Sequence, residues 1–99
     1  MVDKHWPEGL AAYKRTPEFT ELTVPAGLLR SHSTKSGVWA KLHVLSGRLL
    51  FRDLVNHTEH ELTPGIHALI HPQAQHEVAP LGEVRFFVEF WSAPVESRT

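Results

Sequence analysis

The chain contains 99 residues, 41% of them hydrophobic, with 10 Lys and Arg against 11 Asp and Glu. This size and composition predict one globular domain, and the balanced charge gives no basic surface of the kind that binds nucleic acid. The absence of cysteine excludes disulfides, thiolate nucleophiles and sulfur ligands to a metal. No apolar run has the length of a membrane span or a signal-peptide core, so we expect a cytoplasmic protein without a membrane partner.

We expect one domain over residues 1–99, with its core at about 7–91 and a frayed tail at 92–99. Residues 7–14 favour one helical turn. From Phe19 onward, apolar and polar residues alternate with a period of two, which is typical of β-strands. The predicted strands are 19–24, 37–45, 48–55, 59–62, 66–70, 77–79 and 83–91. Ser46-Gly47 is predicted to close a hairpin between the second and third of these strands.

The alternation assigns a face to each residue of the two clearest strands. The inward residues are Val38, Ala40, Leu42 and Val44 in one and Val84, Phe86, Val88 and Phe90 in the other. Short strands separated by turn residues predict an all-β sandwich or barrel. The opposite face of the last strand carries Phe87 and Trp91, which are unfavourable to expose in a monomer, so we expect a homodimer.

Histidine is the unusual surplus of this chain, with eight residues. His71 and His76 flank the Pro72 turn, and if their segments form a hairpin the opposed Cβ atoms lie about 4.5–5.5 Å apart. Both rings could then hold one ion, and His32 would complete a three-histidine metal site with open positions. The alternative, in which these imidazoles only decorate exposed turns, stays open. The other histidines expected near the surface are His43, His57, His60 and His67, the last of which could also lie beside the site.

The order of His32, the Ser46-Gly47 turn, the Pro64-Gly65 turn and His76 resembles the two sequence motifs of cupins. A narrower resemblance, over about residues 7–91, is to the cupin-like TehB/YeaR family, which is linked by name to tellurite resistance. It is carried by the stretches 13–17, 19–20, 24–29, 32–35, 37–39 and 88–90. The resemblance implies an all-β, cupin-like double-stranded β-helix, or jelly-roll, barrel.

The cupin resemblance also implies a metal site built from the two motifs. His32 and His76 match two of the four usual ligands, while Thr34 stands at the second histidine position and Ala40 near the glutamate position. His71 is the candidate replacement ligand. Without the carboxylate, the pocket would be wider and less anionic, which suits a neutral or anionic guest.

Three functions are open to such a chain. The first is a metal-binding cupin-like module in a tellurite, oxyanion or other stress response, which holds one divalent first-row metal ion, zinc or iron, and binds or senses a small molecule or oxyanion. The alternative is a metal-dependent enzyme of dioxygenase or isomerase type that uses the same histidines. The third is a metal-free interaction domain that acts through Phe87 and Trp91. Because 99 residues leave no room for a methyl-donor domain beside a barrel, the chain alone is expected to bind, to sense or to assist chemistry done elsewhere. Whether it is itself an enzyme stays open.

Overall fold

The structure is a computed structural model that describes residues 6–93, and its regular structure is almost entirely antiparallel β-sheet. The strands are β1 (Ala11–Arg15), β2 (Phe19–Thr20), β3 (Trp39–Asp53), β4 (Thr58–Leu62), β5 (Ala68–Ile70) and β6 (His76–Ser92), with a short 3-10 helix at Ala26–Leu29. The all-β prediction is confirmed. Within residues 6–93, no helix has the length and hydropathy needed to cross a membrane.

The sheet is built on two long strands, β3 and β6. They pair antiparallel along most of their length, from Trp39 opposite Trp91 to Asp53 opposite His76. The strand order is β1-β6-β3-β4, while β2 also pairs with β6 and β5 with β3. In the described part of the chain the sheet runs from β1 to β4 without closing, so the closed jelly-roll barrel of a cupin is not confirmed.

The Ser46-Gly47 segment lies inside β3, and the predicted hairpin is wrong. Both halves of β3 pair with β6, and the register shifts between Val44 and Ser46 and again between Gly47 and Leu49. Irregularities of this kind bend a strand without reversing it. Gly47 has a φ of +79°, and a Cβ at this position would lie 1.9 Å from the carbonyl oxygen of Glu83. The residue is therefore glycine because another backbone passes directly against it.

Three further segments differ from the predicted elements. Residues 11–15 form β1, paired with the end of β6, in place of a helical turn. The strand predicted at 19–24 stops at Thr20, whose N–H donates to Thr23 Oγ1 at 2.8 Å as the chain turns. β6 continues through Gly82, where the sequence predicts a break. Of the tail expected to fray, Ser92 belongs to β6, and residues from 94 onward lie outside the described residues.

The core lies on the inner face of β3 and β6, as the alternation predicts. Its members in these two strands include Ala40, Leu42, Val44, Leu49, Phe51, Val78, Val84, Phe86 and Val88. Val44 and Leu49 are an odd number of residues apart, yet both are buried. The irregular segment between them restores the inward face that a regular strand would have lost. One face of β3 thus stays apolar from Ala40 to Phe51.

Candidate functional site

His32 and His76 come together through their backbones. They form an isolated antiparallel bridge in which the His32 N–H donates to the His76 carbonyl at 3.0 Å and the His76 N–H donates to the His32 carbonyl at 2.9 Å. Side chains of such a directly opposed pair lie on the same side. The two imidazole rings accordingly meet edge to face, with centroids 4.1 Å apart.

Each of the two rings is oriented by a carbonyl of its own segment. Nδ1 of His32 lies 3.0 Å from the Arg30 carbonyl oxygen, and Nδ1 of His76 lies 2.8 Å from the Ala74 carbonyl oxygen. A carbonyl oxygen only accepts, so both Nδ1 atoms carry the proton and donate. The neutral form of each ring then has an unprotonated Nε2.

The histidine pair borders a pocket of about 710 Å³. Its floor is the inner face of the sheet and consists of Ala40, Leu42, Ile70, Val78, Val88 and Phe90. Segments that precede β3 form the opposite wall, with Phe19 and Leu28 among them. Apolar walls with a few convergent polar groups are typical of small-molecule sites. The pocket is therefore the candidate functional site.

His76 is the buried polar residue of the described core, with 4% of its surface exposed. Its ring stacks on Phe51, with centroids 5.6 Å apart. Burial lowers the pKa of His76 to about 4, and the nearby His32 acts in the same direction. The ring is therefore neutral at neutral pH.

The ring of His71 contacts Trp39, whereas the rings of His32 and His76 contact each other. The expected hairpin between His71 and His76 is wrong, because β5 pairs with Ala40–Leu42 of β3, while His76 pairs with Asp53 and bridges to His32. The His71 ring packs against Trp39, with centroids 4.8 Å apart, and it is not among the residues that line the pocket.

The outer face of the sheet holds a second polar and aromatic group, of which the sequence predicted the rings of Phe87 and Trp91 but not their polar contacts. Glu89 Oε1 accepts hydrogen bonds from Trp91 Nε1 at 3.0 Å and from His43 Nε2 at 3.2 Å. The Lys41 ammonium lies over the Trp91 ring at 4.4 Å, and His43 stacks on Phe87. The alternation in the sequence places each of these residues on an outward face, but only the register of β3 and β6, which sets Lys41 opposite Glu89 and His43 opposite Phe87, brings them together.

Comparison with known proteins identifies the relatives of this chain. The family model described as the TehB-like domain matches residues 14–88. A Haemophilus influenzae protein named a probable S-adenosyl-L-methionine-dependent methyltransferase TehB is 38% identical over an alignment of 79 residues, which covers 75% of this chain and 28% of that protein. The chain thus spans little more than a quarter of the length of this curated relative.

Two solved structures share the fold. The crystal structure of TehB from Haemophilus influenzae superposes with a TM-score of 0.80 and 35% identity, over 87% of this chain and 32% of that one. A protein from Escherichia coli K12 superposes with a TM-score of 0.81 over 95% of this chain and 99% of that one. At 22% identity, the second likeness shows the fold alone.

These findings correct the predicted metal chemistry. The predictions of a metal-binding cupin module, of a metal-dependent dioxygenase or isomerase, and of a zinc or iron cofactor are wrong, because the curated relatives are named as S-adenosyl-L-methionine-dependent methyltransferases. In agreement, no group of three or more His, Cys, Asp or Glu side chains within residues 6–93 could hold a metal ion. The rings of His32 and His76 pack on each other whereas the His71 ring packs on Trp39, and the three histidines do not form such a group.

Proposed function

We propose that this chain, which belongs to the TehB-like domain family, is a substrate-binding module for S-adenosylmethionine-dependent methyl transfer. In this role, the module holds the small molecule that receives the methyl group, and the methyl donor binds elsewhere. The observation that carries the proposal is the apolar pocket beside the His32–His76 pair. The names of the curated relatives supply the reaction class.

We propose that S-adenosylmethionine itself does not bind in this pocket. Dinucleotide-binding folds hold ribose hydroxyls with an Asp or Glu, and the donor's cationic sulfonium would be costly to bury without an anion. Among residues 6–93, no Asp or Glu lines the pocket, whereas Lys14 and Lys35 lie at its rim. These residues also lack the alternation of strands and helices found in dinucleotide-binding folds. The pocket therefore suits an uncharged or anionic acceptor better than the cationic donor.

The proposal predicts that the chain binds an aromatic acceptor and not the methyl donor. In ¹H–¹⁵N NMR spectra, naphthalen-2-ol should shift the amide signals of pocket residues such as Ala40 and Leu42, while S-adenosylmethionine should leave them in place. The substitution Val88→Phe should abolish the response to naphthalen-2-ol, because the added ring occupies the pocket.

Leu69→Phe is the matched control for this experiment. Leu69 lies between the buried residues Ala68 and Ile70 of β5, so its side chain points to the outer face. This variant should bind naphthalen-2-ol as the wild-type protein does. Saturable binding of S-adenosylmethionine at the pocket amides, or an undiminished naphthalen-2-ol response in Val88→Phe, contradicts the proposal.

We also propose that two copies of the chain pair through the outer face of β6. Phe87 and Trp91 are partly exposed on this face, and contiguous exposed aromatic surface is typical of interfaces. Arg15 lies over the Phe87 ring at 4.8 Å and Lys41 over the Trp91 ring at 4.4 Å. These cations cover part of the two aromatic rings, and the part that stays exposed is the surface that we propose pairs with a second copy.

A further inference from the structure

We infer that the pocket recognises its ligand through a neutral hydrogen-bond donor, a hydroxyl or thiol group on an apolar body, and holds it less tightly once that group is methylated. The inference rests on the proposed function, since it names the class of molecule that the module binds. It depends on which polar atoms inside the pocket are engaged within the protein and which are available to a ligand.

The two imidazoles offer acceptors to the pocket. Their Nδ1 atoms donate to the carbonyls of Arg30 and Ala74, which leaves Nε2 of the neutral rings as an acceptor. The His76 side chain is buried, with Nδ1 bonded to a carbonyl and one ring face stacked on Phe51. No buried side-chain nitrogen or oxygen in the described residues lacks a hydrogen-bond partner. The Nε2 atom of His76 is therefore not sealed in the core, and His76 is among the residues that line the pocket.

The two threonine hydroxyl groups of the inner pocket are already engaged. Thr16 Oγ1 donates to the Pro17 carbonyl at 2.8 Å and accepts from the Val88 N–H at 3.0 Å. Thr34 Oγ1 donates to the His71 carbonyl at 3.4 Å and accepts from the Gln73 N–H at 3.3 Å. The other hydroxyls of the lining, those of Tyr13 and Ser33, belong to exposed residues. Because the threonine hydroxyls serve the backbone, the imidazole Nε2 atoms are the side-chain polar atoms of the inner pocket that a ligand can engage.

The cationic groups lie farther out. Lys14 and Lys35 line the pocket but are exposed to solvent, where water screens their charge. An anion drawn into the inner pocket would instead meet the two acceptor nitrogens and the apolar floor, and its desolvation would be uncompensated. A neutral donor gains a hydrogen bond at the same place. The arrangement therefore favours a hydroxyl or thiol over a carboxylate.

Methylation removes the feature that the pocket recognises. A hydroxyl or thiol loses its only donor hydrogen when it becomes a methyl ether or thioether, and the imidazole acceptor is then left without a partner. An unpaired buried acceptor is unfavourable. The same pocket that captures the unmethylated molecule should thus release the methylated one.

Three naphthalene probes that differ only in the head group test the inference. Naphthalen-2-ol has the donor, 2-methoxynaphthalene is its methylated form, and naphthalene-2-carboxylate is an anion that only accepts. Titration calorimetry at pH 7.5 should rank naphthalen-2-ol first. The loss of one net hydrogen bond should weaken the binding of 2-methoxynaphthalene roughly threefold to tenfold.

Variants assign the preference to the histidines. His32→Phe and His76→Phe each replace an acceptor by a ring of similar size, and each should bind naphthalen-2-ol and 2-methoxynaphthalene with more nearly equal affinity. His32 is only partly buried, so its variant keeps the test decisive if His76→Phe fails to fold. His60→Phe, on β4 and outside the pocket lining, is the control and should keep the wild-type preference.

The possible results separate this inference from the proposed function. Equal affinities of the wild-type protein for naphthalen-2-ol and 2-methoxynaphthalene, or tighter binding of naphthalene-2-carboxylate, overturn the inference while leaving a ligand pocket in place. A preference that survives in both His32→Phe and His76→Phe also overturns it. If none of the three probes binds, both the inference and the proposed function fail.

Discussion

At the scale of single residues, His76 couples protonation to folding. Its ring is buried against Phe51 and held by the Ala74 carbonyl. Burial is the largest of the effects that set its pKa at about 4, and His32 lowers it further, while the Ala74 hydrogen bond and Asp53 act in the opposite direction. The unfolded chain exposes the ring to water and binds a proton near its ordinary pKa of 6.5.

This difference predicts a loss of stability in mild acid. A lowered pKa in the folded state means that the unfolded state binds more protons, so the contribution of His76 is complete above pH 6.5 and declines toward pH 4. Between pH 7.5 and 4.5, the free energy of unfolding should fall by about 2 to 3 kcal/mol from this residue. Urea denaturation at the two pH values measures the change.

His76→Phe isolates the contribution of this imidazole from that of other titrating groups. The variant should lose less stability than the wild-type protein between pH 7.5 and 4.5, by about the amount assigned to His76. His60→Phe, on β4, should behave as the wild-type protein does. An identical pH dependence in His76→Phe and the wild-type protein would show that the ring is not held neutral by the fold.

The candidate site was predictable from the sequence in part. Histidines at strand ends indicated that imidazoles would meet, and the structure brings His32 and His76 to within 4.1 Å between ring centroids. The choice of His71 as the partner of His76 followed from their spacing around Pro72. In the structure, the partner of His76 is His32, which is far away in the chain. Local spacing carries no information about such a long-range contact.

At the scale of elements, β3 shows why alternation predicts a strand but not its length. The inward set of Ala40, Leu42 and Val44 was predicted correctly. Ser46-Gly47 has the composition of a turn, and glycine serves both hairpin turns and strand bulges. In a hairpin, the residues after Gly47 would pair back with residues 38–45, whereas in the structure they continue along β6. This difference depends on long-range contacts.

Gly47 provides a test of the bulge. Gly47→Ala should reduce the free energy of unfolding by more than about 2 kcal/mol, because its positive φ disfavours a side chain and the new Cβ would meet the Glu83 carbonyl oxygen. Gly65→Ala is the matched control, since Gly65 has a φ of +90° with nothing within 4 Å of an added Cβ. Urea denaturation should show a larger loss for Gly47→Ala. Equal losses would mean that β6 does not pass this close to Gly47.

At the scale of the whole molecule, the sheet separates two surfaces with different tasks. The inner face forms the core and the pocket, and the outer face collects Trp39, Lys41, His43 and Glu89 around the rings of Phe87 and Trp91. Trp6 extends this outer group by packing edge to face on Trp39 and Trp91. A ligand in the pocket and a second copy on the outer face would therefore not compete for the same surface.

The outer face gives the last prediction. If two copies pair through Phe87 and Trp91, sedimentation equilibrium should show a dimer, and Trp91→Ala should raise its dissociation constant by about thirtyfold or more, as for an aromatic residue at the centre of an interface. Val55→Ala, at an exposed residue of the β3–β4 turn, is the control and should leave the constant unchanged. Trp91 also contacts Lys41 within one chain. Cooperative unfolding of both variants must therefore show that a change in the dissociation constant does not come from a loss of folding. A wild-type protein that is monomeric up to millimolar concentration would show that these intramolecular contacts alone satisfy the aromatic face.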